Sequence, residues 1–95
     1  MSRIVVVEKC RLDAFEAAAR VIAEPVIEEL TRAMCAFPSF HSAHEGYAVL
    51  LEEVDELWDE VKKKQGTRDR AKLRKEAIQV AAMALRFALE CDGSK

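Results

Sequence analysis

The stretch His44–Val61, HEGYAVLLEEVDELWDEV, organises the chain because it has the pattern of one helix with two different faces. One face is centred on Val54 and is an apolar stripe at the i, i+3, i+4, i+7 spacing of a buried helix side. The other members of this stripe are Leu50, Leu51, Leu57, Trp58 and Val61. About 130° further around the helix, at ~100° per residue, Glu53 and Glu56 are surface neighbours. The stretch therefore predicts a helix that packs through its Val54 side and presents carboxylates on another side.

A second helix carries a carboxylate in the middle of its own apolar stripe. This residue is Glu76 in RKEAIQVAAMALRF, and apolar positions flank it at helical spacing: Leu73, Val80, Met83 and Phe87. A charge in such a position is costly unless it is paired or binds a metal ion. For Glu76 the alternative to a metal ion is an ion pair with Arg86 or Arg20. For Glu53 and Glu56 the alternative is a solvated helix face.

Counting residues from the turn near Gly66 predicts which residues of the two helices lie opposite each other. In an antiparallel hairpin that pivots on Gly66, Glu56 comes level with Glu76. In the same hairpin, Glu53 comes level with Gln79. Packed helix axes lie about 8–10 Å apart, so inward-pointing carboxylates from both helices reach one cation. Three acids this close need a counter-charge, and Mg²⁺ or Mn²⁺ is the hard cation that carboxylate oxygens and water bind.

The sequences EEVDEL and KEAIQVAAMALRF together resemble the MazG-like branch of the all-α nucleoside triphosphate pyrophosphohydrolases. The family motif is ExxE, a spacer and then ExxD. Glu53 and Glu56 match ExxE, and Glu76 matches the first residue of ExxD. Gln79 stands where the family has aspartate. The resemblance covers about Phe37–Leu89, and it rests on the two motifs, their spacing and the flanking sequence together.

The resemblance implies hydrolysis of a nucleoside triphosphate between its α- and β-phosphates, which gives a monophosphate and pyrophosphate. It implies Glu53, Glu56 and Glu76 as ligands of Mg²⁺ or Mn²⁺, with Gln79 supplying a neutral amide oxygen. Glu53 and Glu56 are also catalytic candidates, and Glu52 is a further candidate for the general base. Because Gln79 adds no charge, a second function stays open. It is a catalytically weak or inactive MazG-like oligomer that acts as a nucleotide-binding or protein-interaction module.

Length and composition predict one small cytoplasmic domain, residues 1–95. Of the 95 residues, 51% are hydrophobic, which is enough for one core. The net charge of −2 gives no general reason to expect a nucleic-acid partner, and no stretch is long enough to span a membrane. The cysteines are odd in number and lack metal-ligand spacing, so we expect reduced, mostly packed thiols: Cys10, Cys35 and Cys91.

The first half of the chain predicts one long helix or two shorter ones. Ile4–Val7 is a β-branched run, which we expect to form an extended or irregular arm on the bundle. Leu12–Phe37 has a helical apolar stripe with Pro25 inside it, so this proline either kinks the helix or begins a second one. Phe37–His41 is then a loop, whose two phenylalanines form either a lid over a nucleobase or an apolar plug between helix ends.

The central helix has a clear start signal. Ser42 and Glu45 form the capping-box pattern Ser-x-x-Glu, so the helix is expected to begin at Ala43. His44 then lies in its first turn, either as a phosphate contact or as an ordinary surface residue.

The last helix begins among basic residues and is apolar on two sides. Thr67 or Asp69 caps it. Lys72 and Lys75 belong to a basic end that either contacts the triphosphate or is simply solvated.

The second apolar side of this helix consists of Ile78, Ala81, Leu85 and Leu89. A helix that is apolar nearly all round is buried, so the second side predicts contact with another copy in a homodimer or homotetramer. The expected fold is a small antiparallel helical bundle with a central two-helix hairpin, completed by oligomerisation.

Overall fold

The computed structural model describes residues 6–91, with side chains from residue 11 onward, and this part of the chain is all-helical. Its elements are α1 (Val6–Ala36), α2 (Ala43–Val61), one 3₁₀ turn (Gln65–Thr67) and α3 (Arg70–Glu90). The all-α class predicted from the sequence is confirmed. No helix in this part of the chain is both long enough and apolar enough to cross a membrane.

α1 is one continuous helix that passes through Pro25. The alternative in which this proline begins a second helix is therefore wrong. The predicted extended arm is also wrong for Val6 and Val7, which are the first residues of α1, while the rest of that run lies outside the described residues. β-branched residues lower helix propensity only slightly, so the helical pattern that follows them decides the local structure.

α2 begins at Ala43, as the capping pattern predicts. The Ser42 hydroxyl oxygen accepts a hydrogen bond from the Glu45 N–H at 3.1 Å, which satisfies one free donor of the first turn. The carboxylate of Glu45 accepts a hydrogen bond from the backbone N–H of His41 at 2.8 Å instead of returning to Ser42. Of the two capping-box residues, Ser42 therefore caps α2, and Glu45 holds the preceding loop.

The turn between α2 and α3 is held by side chains from within the turn. Lys62 is the C-cap of α2, and the guanidinium of Arg68 donates a hydrogen bond to the carbonyl of Val61 at 2.9 Å. Asp69 caps α3, because its carboxylate accepts a hydrogen bond from the N–H of Ala71 at 2.9 Å. Of the two capping candidates, Asp69 is thus the one that the fold uses.

α3 is the central element, because it packs against both α1 and α2. The buried core contains four residues of α1 and α3: Val26, Ala33, Ala82 and Met83. The start of α2 approaches the end of α3 at Gly46, where an added Cβ would lie 2.9 Å from a ring carbon of Phe87. Glycine is needed at this position because a larger residue would push the two helices apart.

The apolar stripe of α2 centred on Val54, which the sequence predicts to be packed, is only partly covered. Leu50 packs against the core, and Leu57 and Val61 are half-buried, whereas the middle of the stripe faces solvent. Val54 is 40% exposed and Trp58 is 57% exposed. The side that is covered contains Gly46 and Glu60, which are buried, and Glu53, which is half-buried. The physical reason is that α1 packs on α3 and not on α2, so α2 has one covered face and one open face.

The two apolar sides of α3 also differ in burial. Met83 on the first side is buried, whereas Leu85 and Leu89 on the second side are 43% and 62% exposed. The second side is therefore open only at Leu85 and Leu89, because Ile78 and Ala81 pack against the core. Its contact with another copy stays a prediction.

The cysteines within the described residues are free thiols, as expected. Cys91 is half-buried, but Cys35 is exposed and not packed. The side chain of Cys10 lies outside the part of the chain that the structure describes.

Candidate metal centre

Three glutamates from two helices come together at the middle of the α2–α3 contact. One carboxylate oxygen from each of Glu53, Glu56 and Glu76 lies within 4.8 Å of the other two. Glu53 and Glu56 come from consecutive turns of α2, and Glu76 comes from the second turn of α3. Glu56 and Glu76, which the hairpin count places level, therefore lie close together, while the antiparallel order of α2 and α3 stays a prediction. We call these three residues the acid cluster.

Within the acid cluster, the negative charge of Glu53 is in an unfavourable environment. Its Oε2 atom is buried and has no hydrogen-bond partner among residues 11–91. The pKa of Glu53 is raised to about 7, first by burial, then by the adjacent carboxyl group of Glu56, and least by the charges of Glu76 and Glu29. A buried acceptor without a partner is costly, so this oxygen is suited to a cation or a proton.

The acid cluster has no internal counter-charge. Within residues 11–91, no Lys or Arg nitrogen lies within 4.0 Å of its carboxylates. The two arginines proposed as partners of Glu76 pair elsewhere: Arg86 with Glu90 at 3.1 Å, and Arg20 with Glu16 at 3.0 Å. The ion-pair alternative for Glu76 is therefore wrong for both of these arginines.

The donor set of the acid cluster suits a hard divalent cation. All its ligand atoms are carboxylate oxygens, which is the chemistry that Mg²⁺ and Mn²⁺ prefer. Mg²⁺–oxygen bonds are about 2.1 Å long, so two oxygens on opposite sides of one ion are about 4.2 Å apart. Adjacent oxygens on one ion are only about 3 Å apart. The oxygens of the acid cluster lie within 4.8 Å of each other, so the three side chains must move closer together to share one ion. Glu56, the exposed member, leaves the cluster open to water and to a ligand.

A cavity of about 370 Å³ adjoins the acid cluster. Glu53 and Gln79 both line it, so the amide of Gln79 lies beside the same space as the acid cluster. The other walls are mostly apolar and come from all three helices and from the loop between α1 and α2. They include Ala33, Phe37, Phe40, Val49 and Met83. Polar and charged residues line it as well: Glu29, Arg32, Ser39, His41, Glu45 and Arg86. A cavity of this size that combines apolar walls with polar groups is typical of a small-molecule site.

The loop wall of this cavity is fixed by a set of contacts that sequence reasoning missed. Arg86 donates to the carbonyl of Pro38 at 2.7 Å and lies 4.0 Å from the ring centre of Phe40. Glu90 accepts a hydrogen bond from the N–H of Phe40 at 2.8 Å and pairs with Arg86. We call these four residues the loop latch. The sequence signal is an Arg–Glu pair four residues apart within residues 77–90, where Gln79 is the only other polar residue.

The structure places the remaining candidate residues outside the acid cluster. Glu52 is exposed, and so are Lys75 and His44. Lys72 lies 3.9 Å from a carboxylate oxygen of Glu60, one turn of α2 beyond Glu56. Of the two phenylalanines in the predicted loop, Phe40 is the buried plug and Phe37 is exposed beside the cavity.

The chain was also compared with known proteins. No protein-family model matches it, and no curated protein or solved structure gives a significant match.

Proposed function

We propose that this chain is a nucleotide pyrophosphohydrolase that depends on Mg²⁺ or Mn²⁺ and resembles the MazG-like enzymes. The observation that carries the proposal is the acid cluster, in which three carboxylates meet with no Lys or Arg nitrogen of residues 11–91 within 4.0 Å. The family resemblance names the same three residues as metal ligands. The antiparallel order proposed for α2 and α3 is supported by contacts at both ends: Gly46 with Phe87, and Glu60 with Lys72.

The roles of the residues follow from their burial. Glu53 and Glu76 are half-buried and hold the cation from two helices, while Glu56 is exposed and reaches both the cation and solvent. A divalent cation at this position neutralises phosphate oxygens and acidifies a water molecule. Glu56, or Glu52 on the same helix, accepts the proton of the attacking water as general base. The oxygen of that water bonds to the α-phosphorus, the bridging P–O bond breaks, and pyrophosphate leaves.

The cavity beside the acid cluster is the proposed nucleoside site. Its volume of about 370 Å³ is suited to a small ligand, and Glu53 belongs both to its wall and to the cluster. A base held between the apolar walls therefore puts its phosphates next to the cation. Lys72 and Lys75 lie on the first turns of α3 and precede Glu76 in the chain, whereas the residues of α3 that line the cavity follow Glu76. The two lysines are the proposed contacts of the leaving phosphates. His44 is exposed and is a less direct candidate for the same role.

A second function is favoured by a specific observation, the neutral side chain of Gln79 at the wall of the cavity. An amide oxygen is a weaker cation ligand than a carboxylate, since it brings no charge. In this alternative, the fold binds a nucleotide or a protein without hydrolysis. The open faces of α2 and α3, at Trp58 and Leu89 for example, supply a surface for such a partner.

Self-association belongs to both proposals. Large apolar side chains are exposed on α2 and α3 in the single chain: Tyr47, Leu51, Val54, Trp58, Leu85 and Leu89. Exposed apolar area on this scale marks an interaction surface. A homodimer or homotetramer in the cytoplasm is the proposed form, and light scattering should give at least twice the chain mass of 10.7 kDa.

The test is a screen for pyrophosphate release from canonical and modified nucleoside triphosphates with Mg²⁺ or Mn²⁺. Glu56→Gln should abolish release, because it removes the exposed ligand of the acid cluster. Asp55→Asn is the matched control, since it removes one negative charge from an exposed neighbour on the same helix. Equal activity in both variants would exclude the acid cluster as the catalytic site. Nucleotide binding without release in the wild type would favour the second function.

A further inference from the structure

The basic residues of this chain are concentrated at the end of the hairpin between α2 and α3. Residues 62–75 contain eight Lys or Arg residues and one acidic residue, a net charge of +7. The remaining residues contain seven basic and sixteen acidic side chains, a net charge of −9. The overall charge of −2, from which we expected no nucleic-acid partner, is thus the sum of two opposite regions. We call residues 62–75 the basic tip.

All eight cations of the basic tip are exposed: Lys62, Lys63, Lys64, Arg68, Arg70, Lys72, Arg74 and Lys75. Three of them lie within 4.0 Å of carboxylates on α2, and Arg68 caps α2 through the carbonyl of Val61. The other four have no carboxylate partner among residues 11–91: Lys64, Arg70, Arg74 and Lys75. The basic tip therefore presents several cations that are free to meet an external polyanion.

We propose that the basic tip binds the phosphate backbone of duplex nucleic acid without sequence preference. Exposed Lys and Arg side chains release condensed counterions when they meet phosphates, and this release supplies most of non-specific binding. A single strand is bound mainly by stacking its bases on aromatic side chains. Residues 62–75 contain no aromatic residue, so the duplex backbone is the better match.

The composition of the basic tip disfavours other macromolecular partners. Protein interfaces have apolar or aromatic anchors at their centre and are depleted in lysine. The aliphatic side chains of the basic tip are only Ala71 and Leu73, and Leu73 is half-buried. Stable attachment to a membrane needs an apolar anchor or a lipid chain in addition to basic residues. The acidic remainder of the chain is repelled by a polyanion, so the protein approaches a duplex with its tip first.

The experiment measures binding of a fluorescein-labelled DNA duplex of mixed sequence by anisotropy, over a range of salt concentrations. If four cations meet phosphates, the slope of log K against log[salt] is about −3.6, and affinity falls about a hundredfold between roughly 50 and 200 mM salt. Unlabelled duplexes of unrelated sequence should compete equally well.

Two double variants with the same net charge separate the basic tip from the rest of the surface. The tip variant carries Arg70→Gln and Arg74→Gln, and the control carries Arg11→Gln and Arg20→Gln, all at exposed helix positions. The tip variant should lose roughly tenfold in affinity for each arginine at low salt, and its salt slope should become shallower by about two. The control should bind as the wild type does. Circular dichroism confirms that both variants keep their helices.

Several results overturn the proposal. Equal losses in the two double variants show that the basic tip is not the binding surface. Tighter binding to single-stranded oligothymidylate than to the duplex contradicts the backbone mode. Binding to vesicles of phosphatidylcholine and phosphatidylserine, without binding to the duplex, assigns the basic tip to a membrane surface. Arg70 and Arg74 have no role in the proposed hydrolysis, so pyrophosphate release by the tip variant reports on the enzyme function separately.

Discussion

Two groups of charged side chains lie along α3, and the fold treats them in opposite ways. In the loop latch, Arg86 and Glu90 are both buried and pair at 3.1 Å. Each also bonds the loop, Arg86 through the carbonyl of Pro38 and Glu90 through the N–H of Phe40. In the acid cluster, carboxylates meet with no cation among residues 11–91 and one buried oxygen has no partner.

This difference separates charges that hold the fold from charges that are available to a ligand. A buried ion pair is tolerated when its remaining donors and acceptors are satisfied, and the loop latch meets that condition. Like charges that are left together raise the free energy of the fold until a proton or a cation joins them. The loop latch therefore fixes one wall of the cavity. The acid cluster, beside another part of the same cavity, keeps carboxylates that no cation neutralises among residues 11–91. Each prediction below changes one side of this comparison.

The largest effect is expected at the loop latch. Arg86→Met removes the cation of a buried pair and leaves the carboxylate of Glu90 buried, which should cost about 3–5 kcal/mol of unfolding free energy. Arg20→Met is the matched control, because Arg20 also pairs with a glutamate four residues away, but on the surface. Exposed pairs contribute less than about 1 kcal/mol. Urea denaturation of both variants measures the difference, and equal costs would show that the loop latch is not structural.

The next effect concerns cation binding by the acid cluster. A cation that binds only the folded chain adds RT ln(1 + [L]/Kd), which is about 2.7 kcal/mol at a hundredfold excess over Kd. Thermal melts with millimolar Mg²⁺ or Mn²⁺ should therefore give a higher midpoint than melts with EDTA. Glu56→Gln should lose this shift, and Asp55→Asn should keep it. The metal site is excluded if the midpoint is unchanged and calorimetry detects no metal binding.

The pH dependence of stability should reveal the repulsion within the acid cluster. The folded pKa of Glu53 is about 7, which is above the usual value of 4.5. The folded chain therefore binds more protons than the unfolded chain between these pH values, so this group makes stability fall as pH rises from about 4.5 to about 7. In EDTA, the urea midpoint should drop between about pH 5 and about pH 8. Glu56→Gln should make this drop smaller, because it removes the group that raises the pKa of Glu53 most after burial, whereas Asp55→Asn should leave the drop unchanged.

Local signals and sequence counting predicted part of this arrangement. Ser42 places the start of α2 because helix capping depends on a few neighbouring residues. Glu56 meets Glu76 because a short turn near Gly66 fixes which residues of the two helices come level. Both relations are set by short stretches of chain, so the sequence is sufficient to find them.

The rest depends on contacts between distant segments. The sequence cannot show that α1 packs on α3 and not on α2, so it cannot show which part of the apolar stripe of α2 stays exposed. The loop latch was missed for the same reason, since its partners are 48 and 50 residues apart in the chain. Arg86 was considered only as a partner of Glu76, and its real partner is one turn away on the same helix.

The smallest expected effect concerns Gln79, the neutral side chain at the wall of the cavity. Gln79→Asp places a negative oxygen at the wall of the cavity beside Glu53, where an amide now stands. With Mg²⁺ present, the added charge should raise metal affinity about tenfold, or about 1.4 kcal/mol, and any pyrophosphate release should reach its maximum at lower Mg²⁺. In EDTA the same charge should destabilise the fold at neutral pH, because a fourth carboxylate joins an unpaired group. Gln65→Asp is the matched control, since it makes the same change at an exposed position in the turn.

Calorimetric titration with Mg²⁺ and urea denaturation in EDTA measure the two effects. If Gln79→Asp raises the affinity for Mg²⁺ and lowers the stability in EDTA, and Gln65→Asp changes neither, residue 79 lies at the metal centre. A Gln79→Asp variant that behaves like Gln65→Asp in both would remove residue 79 from that centre.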